Sequence, residues 1–283
     1  MMLKQFSKLS RVQKLKLLAV IVLAEGYMDT KKRYIRLLTV GNKQQHLLFK
    51  YLCVALFNKT PKLYVYLRDN KKIIVSTLHS ANALEELLTL SPTYKTTPGL
   101  QTKSEYLKNP QPTLSFLLDE SVIIKQLALR ILFDFGGSLC YTFKLKSKKD
   151  KKKNKTYQYY QVQFEAEFRI AETNPSVVSD MRRLCLSLGL SARIKQDKRN
   201  WSIFQGIEIS KIKDVQKIAA MGPITNVKIS DKGAVNKGFT KKFLCNKLLR
   251  FLKNNKLSYS FKDKKEAMLF RKRLYRLKFN RTD

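Results

Sequence analysis

Hydrophobic and polar residues along this chain follow a pattern that occurs twice. In the first copy, residues 12–24 form a nearly continuous apolar run that stops at Gly26, as is typical of a helix end. Two pairs of strands and two further helices are predicted after it from period-2 and helical spacing, at residues 27–29, 33–40, 44–57, 62–68, 73–78 and 81–90.

The second copy repeats this order. Its first helix is predicted at residues 120–135 and stops at Gly136 and Gly137. Its remaining elements are predicted at residues 139–146, 157–170, 177–188, 192–196, 201–209 and 215–220. The lysine-rich residues 147–155 are predicted to be a loop that stays disordered without a partner. The repeated order indicates an α+β fold built by internal duplication of an αββαββα unit.

Proline content and repeat boundaries divide the chain into four parts. The first half is predicted at residues 1–90 and the second half at residues 119–225. Residues 91–118 form a linker that holds four of the seven prolines. Residues 226–283 lie outside the repeat and are predicted to be a basic, helical C-terminal extension.

Charge narrows the class of partner. The chain has 57 Lys and Arg against 21 Asp and Glu, a formal net charge of +36. Such an excess repels itself in a compact state unless a polyanion neutralises it, and nucleic acid is the obvious polyanion. A membrane partner is not expected, because the best apolar run is far shorter than the ~20 residues that a spanning helix needs.

Cysteine and histidine usage sets the expected compartment and excludes some chemistries. The four cysteines are scattered without a CxxC pair, which predicts reduced thiols, no zinc site and an intracellular protein of the cytoplasm or nucleoid. The basic, acid-free residues 1–16 keep an organelle open as an alternative. His46 and His79 are interpreted as structural, and Trp201 as a core residue.

Two segments carry a resemblance to a known family. Residues 18–26 read LAVIVLAEG and resemble the LAGLIDADG motif of homing endonucleases. Residues 129–137 read LRILFDFGG and resemble a degenerate second copy that begins 111 residues later. Over residues 12–225 the chain is therefore similar to the double-motif, single-chain, archaeal-like members of this family.

The resemblance implies an architecture and a chemistry. The two motif helices would pack side by side on a pseudo-twofold axis, and two antiparallel sheets would form a saddle for the DNA major groove. The acid that ends each motif helix would hold a divalent metal, with Mg²⁺ as the cofactor if catalysis is retained. The chain is expected to be a monomer with internal pseudo-symmetry.

The motif ends depart from the family pattern. Glu25 fits the first acid position and is the expected catalytic residue and metal ligand, whereas Gly136 fills the second position without a side chain. Asp134 lies about 200° around the helix from position 136, so it is expected to orient or cap rather than to bind metal. We therefore expect double-strand cleavage to be impaired.

Side-chain size at the motif helices is also mixed. Ala19 and Ala24 are small enough for close helix packing, as the family requires. Arg130 and Phe135 are much larger, which predicts that symmetric packing at the axis is disturbed.

The polar faces of the predicted strands are candidate nucleic-acid contacts. In the first half these positions carry no acid, whereas Glu165 and Glu167 accompany them in the second half. Arg, Lys and Gln can read base edges in the major groove and contact phosphates. The candidates are Tyr34, Arg36, Lys62, Tyr64, Tyr66, Arg68, Thr142, Lys144, Lys146, Lys149, Lys152, Gln161, Gln163, Arg193 and Lys195.

Three functions remain open from the sequence. The first is a site-specific DNA-binding protein of the homing-endonuclease lineage that hydrolyses phosphodiester bonds if it is still active. The alternative is a catalytically inactive RNA-binding intron maturase or RNA-assembly factor that binds structured RNA on the same fold. A nonspecific nucleic-acid-packing protein is disfavoured, because packing requires no patterned duplication.

Overall fold

The structure is a computed structural model that describes residues 4–40, 42–96, 103–152, 155–196, 204–229 and 238–279. After the short helix α1 (Lys4–Ser7), the first unit contains α2 (Arg11–Glu25), β1 (Gly26–Asp29), β2 (Tyr34–Val40), α3 (Lys43–Phe57), β3 (Lys62–Arg68), β4 (Lys71–His79) and α4 (Ala81–Leu90). The connection to the second unit includes α5 (Lys103–Lys108) and a 3₁₀ turn (Ser115–Leu117).

The second unit has the same order of elements. It contains α6 (Val122–Gly136), β5 (Gly137–Lys152), β6 (Lys155–Ile170), α7 (Pro175–Ser187), β7 (Arg193–Gln196), β8 (Phe204–Ile209) and α8 (Ile212–Met221). The C-terminal residues form α9 (Lys241–Asn254), β9 (Ser258–Phe261) and α10 (Lys264–Phe279).

Sheet topology confirms the predicted duplication. The first sheet has the order β1-β2-β4-β3 and the second has the path β5-β6-β8-β7, with every pair antiparallel. Each strand thus has its counterpart at the same place in the other sheet. The predicted α+β fold with two αββαββα units and two antiparallel sheets is correct.

The two motif helices form the centre of the molecule. Helix α2 packs against α6, and Ala19 of α2 is fully buried while Ala24 is partly buried. A capping box at Ser10 and Gln13 fixes the start of α2. Although both helices are strongly apolar, no helix among the described residues is long and apolar enough to cross a membrane.

Helix α2 contacts α6 although α6 carries the large Arg130, whose side chain is directed to other segments. Arg130 donates hydrogen bonds from Nε to the Gly222 carbonyl and from Nη2 to the Pro223 carbonyl, at 3.1 and 3.2 Å. Its Nη1 reaches Oε1 of Gln5 at 3.0 Å. Because these partners lie outside α2, the guanidinium fastens α6 to neighbouring segments and leaves the α2–α6 contact intact.

The lysine-rich stretch predicted as a loop is instead a continuation of the second unit's first hairpin. Strands β5 and β6 are 16 residues each and remain paired as far as Lys152 and Lys155. The cross-strand partners of Lys148 and Lys149 are Tyr159 and Gln158, so these lysines face neutral side chains. Pairing with neutral residues lowers the like-charge repulsion on which the loop prediction depended.

The C-terminal segment, which was predicted to be helical, also contributes a strand to the second sheet. Strand β9 pairs with residues 160–163 of β6. On the far edge of β5, Arg271 of α10 donates from Nε to the Phe143 carbonyl at 2.7 Å. Phe251 of α9 stacks on Phe164 with ring centroids 4.6 Å apart. The segment therefore covers edges and inner face of the hairpin that would otherwise be open.

His46 links the strands at the centre of the first sheet. Its ring lies 2.8 Å from Oγ1 of Thr39 on β2 and 2.7 Å from Oγ of Ser76 on β4. Burial lowers the pKa of His46 to about 4, so the ring stays neutral with one donor and one acceptor nitrogen. These contacts give His46 a structural part in the first unit, and Trp201 lies outside the described residues.

Close contact explains why glycine follows each motif helix. A Cβ atom at Gly26 would lie 2.6 Å from Cα of Val22, and one at Gly137 would lie 2.6 Å from Cα of Phe133. We expect Gly26→Ala and Gly137→Ala each to lower the free energy of unfolding by about 1–3 kcal/mol, as overpacking does. Urea denaturation would measure this.

The neighbouring glycine is a matched control for that measurement. A Cβ atom at Gly136, the last residue of α6, would lie 3.2 Å from the Ala171 carbonyl oxygen. Gly136→Ala is therefore expected to change stability by less than about 1 kcal/mol, because improved helix propensity offsets the small displacement. Equal losses at all three positions would contradict this account.

Candidate nucleic-acid site at the ends of the motif helices

A cleft of about 500 Å³, called here the motif-end cleft, opens where α2 and α6 end. Its walls include Glu25 of α2, Asp134 and Gly136 of α6, and Lys241 of α9. Leu38 and Val40 of β2 and Ser138 of β5 also line it, so the cleft adjoins both sheets. The cleft therefore lies at the motif-helix ends, where the sequence predicts the two acid positions.

Glu25 and Gly136 occupy equivalent positions. Each is the last residue of its motif helix, and the following glycine donates its backbone N–H to the carbonyl of Val22 in α2 or Phe133 in α6. Of these two residues, only Glu25 brings a carboxylate to the cleft. Within the described ranges, no group of three His, Cys, Asp or Glu side chains is placed to hold a metal ion.

The carboxylate of Asp134 is buried and hydrogen-bonded to backbone groups, so it does not replace the side chain that Gly136 lacks. Its Oδ2 accepts hydrogen bonds from the backbone N–H groups of Ile224 and Thr225 at 3.0 and 2.8 Å. Its buried Oδ1 has no hydrogen-bond partner in the described part of the chain. Burial raises the pKa of Asp134 above its ordinary value, against the lowering effect of the Thr225 and Ile224 N–H groups and of Lys241.

Lys241 is a buried cation at the end of α6. Its Nζ donates to the carbonyls of Phe133 and Asp134 at 2.6 and 2.9 Å. Gln45 of α3 donates to the same Asp134 carbonyl at 2.9 Å. These carbonyls belong to the negative end of the helix dipole, where a cation is favourable. Burial lowers the pKa of Lys241 below its ordinary value, while Asp134 and Glu25 oppose that effect.

Sequence analysis did not find Lys241, Gln45 or Glu172 as site residues. Lys241 is one of 57 basic residues, and it contacts a carbonyl that lies 108 residues earlier in the chain. Its one local signal is that it follows Thr240, which caps α9. That signal predicts a helix start and says nothing about where the ammonium lies.

Glu25 keeps an exposed surface but lies among protein atoms that reduce its hydration. This desolvation raises the pKa of Glu25 to about 7, while Lys241 lowers it and Glu172 raises it further. Glu172 follows β6 and is itself buried, and desolvation raises its pKa to about 7 against the N–H groups of Asn174 and Thr173. The carboxyl groups near the helix ends are therefore held in an unfavourable environment.

The outward face of the first sheet, away from α3, bears the candidate contacts of the first half. Arg36, Lys62, Tyr64, Tyr66 and Arg68 are exposed there. Tyr34 is the exception and corrects the prediction, because it is only 8% exposed. The rings of Tyr27 and His79 lie about it, and the Arg36 guanidinium lies 4.8 Å from its ring centroid.

The outward face of the second sheet is polar and internally ion-paired. Lys144 and Lys146 both contact the carboxylate of Glu165, the latter at 2.9 Å. Lys195 contacts Glu208 at 3.2 Å. Exposed ion pairs of this kind are weak, so a phosphate could displace the carboxylate. In the absence of a ligand, these lysines are therefore ion-paired with acids of the same sheet.

Other candidates in the second half have varied surroundings. The Thr142 hydroxyl is hydrogen-bonded to the Tyr275 hydroxyl of α10, so it is already engaged. Gln161 and Gln163 lie across from Lys146 and Lys144 on the polar face and are partly exposed. Arg193 and Lys149 are exposed, and the side chain of Lys152 lies outside the described residues.

The raised pKa of Glu25 predicts a stability difference that depends on pH. Its folded-state pKa of about 7 exceeds the unfolded value of about 4.3, so its contribution to stability is lost as pH rises between these values. In EDTA, Glu25→Gln should therefore be more stable than the wild type at pH 8. The difference should shrink toward zero at pH 4.5.

Urea denaturation at both pH values tests that prediction. Glu85→Gln is the matched control, because Glu85 is an exposed glutamate on α4, and it should change little at either pH. A Glu25→Gln protein that is less stable than the wild type at pH 8 would contradict the proposed environment of Glu25.

Comparison with known proteins gives a likeness at the level of fold. No family profile and no curated protein matches the chain. Among solved structures, it is similar to the N-terminal LAGLIDADG domain of DUF199/WhiA, with 14% identity, 79% of this chain and 85% of that chain covered, and a TM-score of 0.41.

Two structures of the homing endonuclease I-DmoI are similar as well. Its mesophilic variants give 12% identity, 75% of this chain and 96% of that chain covered, and a TM-score of 0.40. The complex of I-DmoI with DNA and Mn gives 11% identity, 75% and 97% coverage, and a TM-score of 0.40. Similarity at this level does not transfer an activity to this chain, so its fold is described from its own geometry. Two packed motif helices that end before Gly26 and Gly137, each followed by strands in the same order, give this chain a duplicated α+β fold with two antiparallel sheets.

Proposed function

We propose that this chain binds duplex DNA along the outward faces of its two sheets and no longer cuts both strands. The observation that carries the proposal is the difference between the two motif ends. Glu25 brings a carboxylate to the motif-end cleft, and Gly136 brings none. Cleavage of two strands in a symmetric fold needs equivalent chemistry at both ends.

Charge supports binding of a polyanion. The formal net charge of +36 is large, and cationic side chains lie on both outward faces. Each phosphate that a lysine or arginine neutralises releases a condensed counterion, which favours binding at low salt. The exposed lysines on the β5–β6 hairpin extend this surface beyond the core.

The donors at the cleft fit one metal ion better than two. Mg²⁺ is commonly held by one or two carboxylates, waters and phosphate oxygens, and Glu25 is the carboxylate that could hold it here. A pair of ions would need further carboxylates, whereas Asp134 accepts backbone hydrogen bonds and Lys241 adds positive charge. If Mg²⁺ binds, it would help to neutralise a phosphate beside Glu25.

A plasmid assay tests the proposal. With Mg²⁺ and a supercoiled plasmid pool that carries binding sites, the wild type is expected to give nicked circles and no linear product. Glu25→Gln should abolish nicking, because it removes the one motif-end carboxylate. Gel electrophoresis distinguishes the three plasmid forms, and linear product from the wild type would contradict the loss of double-strand cleavage.

The glycine position offers a gain-of-function arm with its own control. The space around Gly136 admits a side chain after a small displacement of the Ala171 carbonyl. Gly136→Glu should raise the affinity for Mg²⁺ in calorimetric titration, and the isosteric Gly136→Gln should not. Equal Mg²⁺ binding by the two variants would show that position 136 does not face the metal.

Structured RNA is a second candidate ligand, and the C-terminal segment favours it. Helix α10, which lies outside the two duplicated units, exposes Lys272, Arg273 and Arg276. A duplex that lies along the two sheets does not need this additional cationic surface. Structured RNA, the ligand expected of a maturase or an RNA-assembly factor, could use it.

Relative affinity distinguishes the two ligands. At matched salt, the DNA proposal predicts that selected duplex DNA binds at least about 10-fold tighter than structured RNA of equal charge, a difference near 1.4 kcal/mol. Fluorescence anisotropy on pools selected with and without Mg²⁺ would measure it. Tighter binding of RNA would replace the first proposal with the second.

A further inference from the structure

The outward face of the first sheet has an apolar centre that the duplication does not explain. Register places Leu38, Val75 and Tyr64 in one row across β2, β4 and β3. The next row contains Val40, Ile73 and Tyr66. These six side chains are called here the first-sheet patch.

The first-sheet patch is open to solvent at its sides. Leu38 and Val40 are 42% and 52% exposed, and Tyr64 and Tyr66 are 51% and 45% exposed. The opposite face of β2 and β4 packs on the helices, through residues such as Ile35 and Leu37, whereas β3 is exposed on both of its faces. Single exposed apolar residues are ordinary, but a contiguous patch with charged neighbours indicates a binding surface.

Cations border the first-sheet patch at both ends. Arg36 and Lys62 form the row on one side, across from each other on β2 and β3. Arg68 and Lys71 form the row on the other side. A second copy of this chain, with its own net charge of +36, would be repelled from such a rim.

The chemistry of the patch fits unpaired bases better than paired ones. Reading base edges in a duplex needs hydrogen-bonding side chains, and leucine, valine and isoleucine have none. Unpaired bases stack on aromatic and apolar side chains, while nearby cations hold the phosphates. Two exposed tyrosines within a cationic rim supply both parts.

The first-sheet patch lies beside the motif-end cleft and differs in chemistry from the matching face of the second sheet. Leu38 and Val40 belong both to the patch and to the wall of the motif-end cleft, so a strand on the patch continues toward Glu25. The corresponding face of the second sheet carries Lys144, Gln163, Lys146 and Gln161, which suit phosphates and paired base edges.

We propose that the first-sheet patch binds unpaired bases of a polynucleotide whose paired stem lies on the second sheet. The inference rests on the proposed function in that the ligand is a nucleic acid with a duplex part, and it assigns the first-sheet patch to unpaired bases in place of paired ones. It adds that the favoured ligand joins a duplex to an unpaired segment. In this arrangement the first sheet binds bases by stacking, and the second sheet binds phosphates through its charged side chains.

Binding of two matched ligands tests this inference. One is a hairpin stem with an eight-nucleotide unpaired tail that carries 2-aminopurine, and the other is a full duplex with the same number of phosphates. The wild type should bind the tailed stem more tightly and change the 2-aminopurine fluorescence on binding. The double variant Tyr64→Leu with Tyr66→Leu should lose about 10-fold or more in affinity for the tailed stem and less than about 2-fold for the duplex.

Three controls make the result specific. Tyr64→Phe with Tyr66→Phe keeps the aromatic rings and should retain binding. Tyr157→Leu removes a tyrosine of similar exposure, 53%, from the β5–β6 hairpin and should leave the tail preference unchanged. Thermal unfolding would show that each variant is folded.

The outcomes separate the inference from the proposed function. A tail preference that depends on Tyr64 and Tyr66 supports the inference, whether the tail is DNA or RNA. The tail that binds more tightly shows whether the site prefers deoxyribose or ribose. Equal loss for tailed stem and duplex, or no loss for either, overturns it while nucleic-acid binding stands. Failure to bind any of these ligands overturns the proposed function as well.

Discussion

The contact between α2 and α6 is the constraint on which the rest of this structure depends. Packing the two helices side by side brings their C-terminal ends, and the negative ends of two helix dipoles, to one cleft. Glu25 and Asp134 add carboxyl groups to the same region, and burial raises the pKa of each. Such an arrangement is stable only if donors and cations meet it from elsewhere in the chain, as Lys241, Gln45 and the Ile224 and Thr225 N–H groups do.

The main compensating cation comes from outside the duplicated units, which gives the C-terminal segment a role in the core. Lys241 opens α9, where a cation is unfavourable for that helix, but its Nζ lies at the end of α6, where a cation is favourable. The same segment covers the β5–β6 hairpin through β9 and α10. This hairpin is 16 residues on each strand, whereas β1 has four residues, so the second unit needs a cover that the first does not.

Sequence patterning predicted the elements well, because periodicity reports which face of a helix or strand is buried. The motif helices, their glycine ends and the strand order follow directly from that signal. Contacts between residues that are far apart in the sequence do not follow from it. The ion pairs of Lys144 and Lys146 with Glu165, the burial of Tyr34 and the place of Lys241 depend on register and on how distant segments meet. The sequence of the lysine-rich hairpin predicts a loop because charge density is visible in a sequence, whereas the neutral cross-strand partners of Lys148 and Lys149 are set by register.

The symmetry of the backbone and the asymmetry of the surfaces have different physical origins. Core positions in both units must fill the same space between sheet and helices, so packing keeps the two strand orders alike. Outward positions meet solvent or ligand and are free to differ, which allows Leu38 and Tyr64 in one half where Lys144 and Gln163 occur in the other. At the motif ends the same freedom places a carboxylate at Glu25 and none at Gly136, beside an ammonium that already neutralises the end of α6. With Glu25 at one helix end, no side chain at the other, and a fixed cation between them, the cleft fits the proposed role of binding a phosphate backbone without cutting both strands.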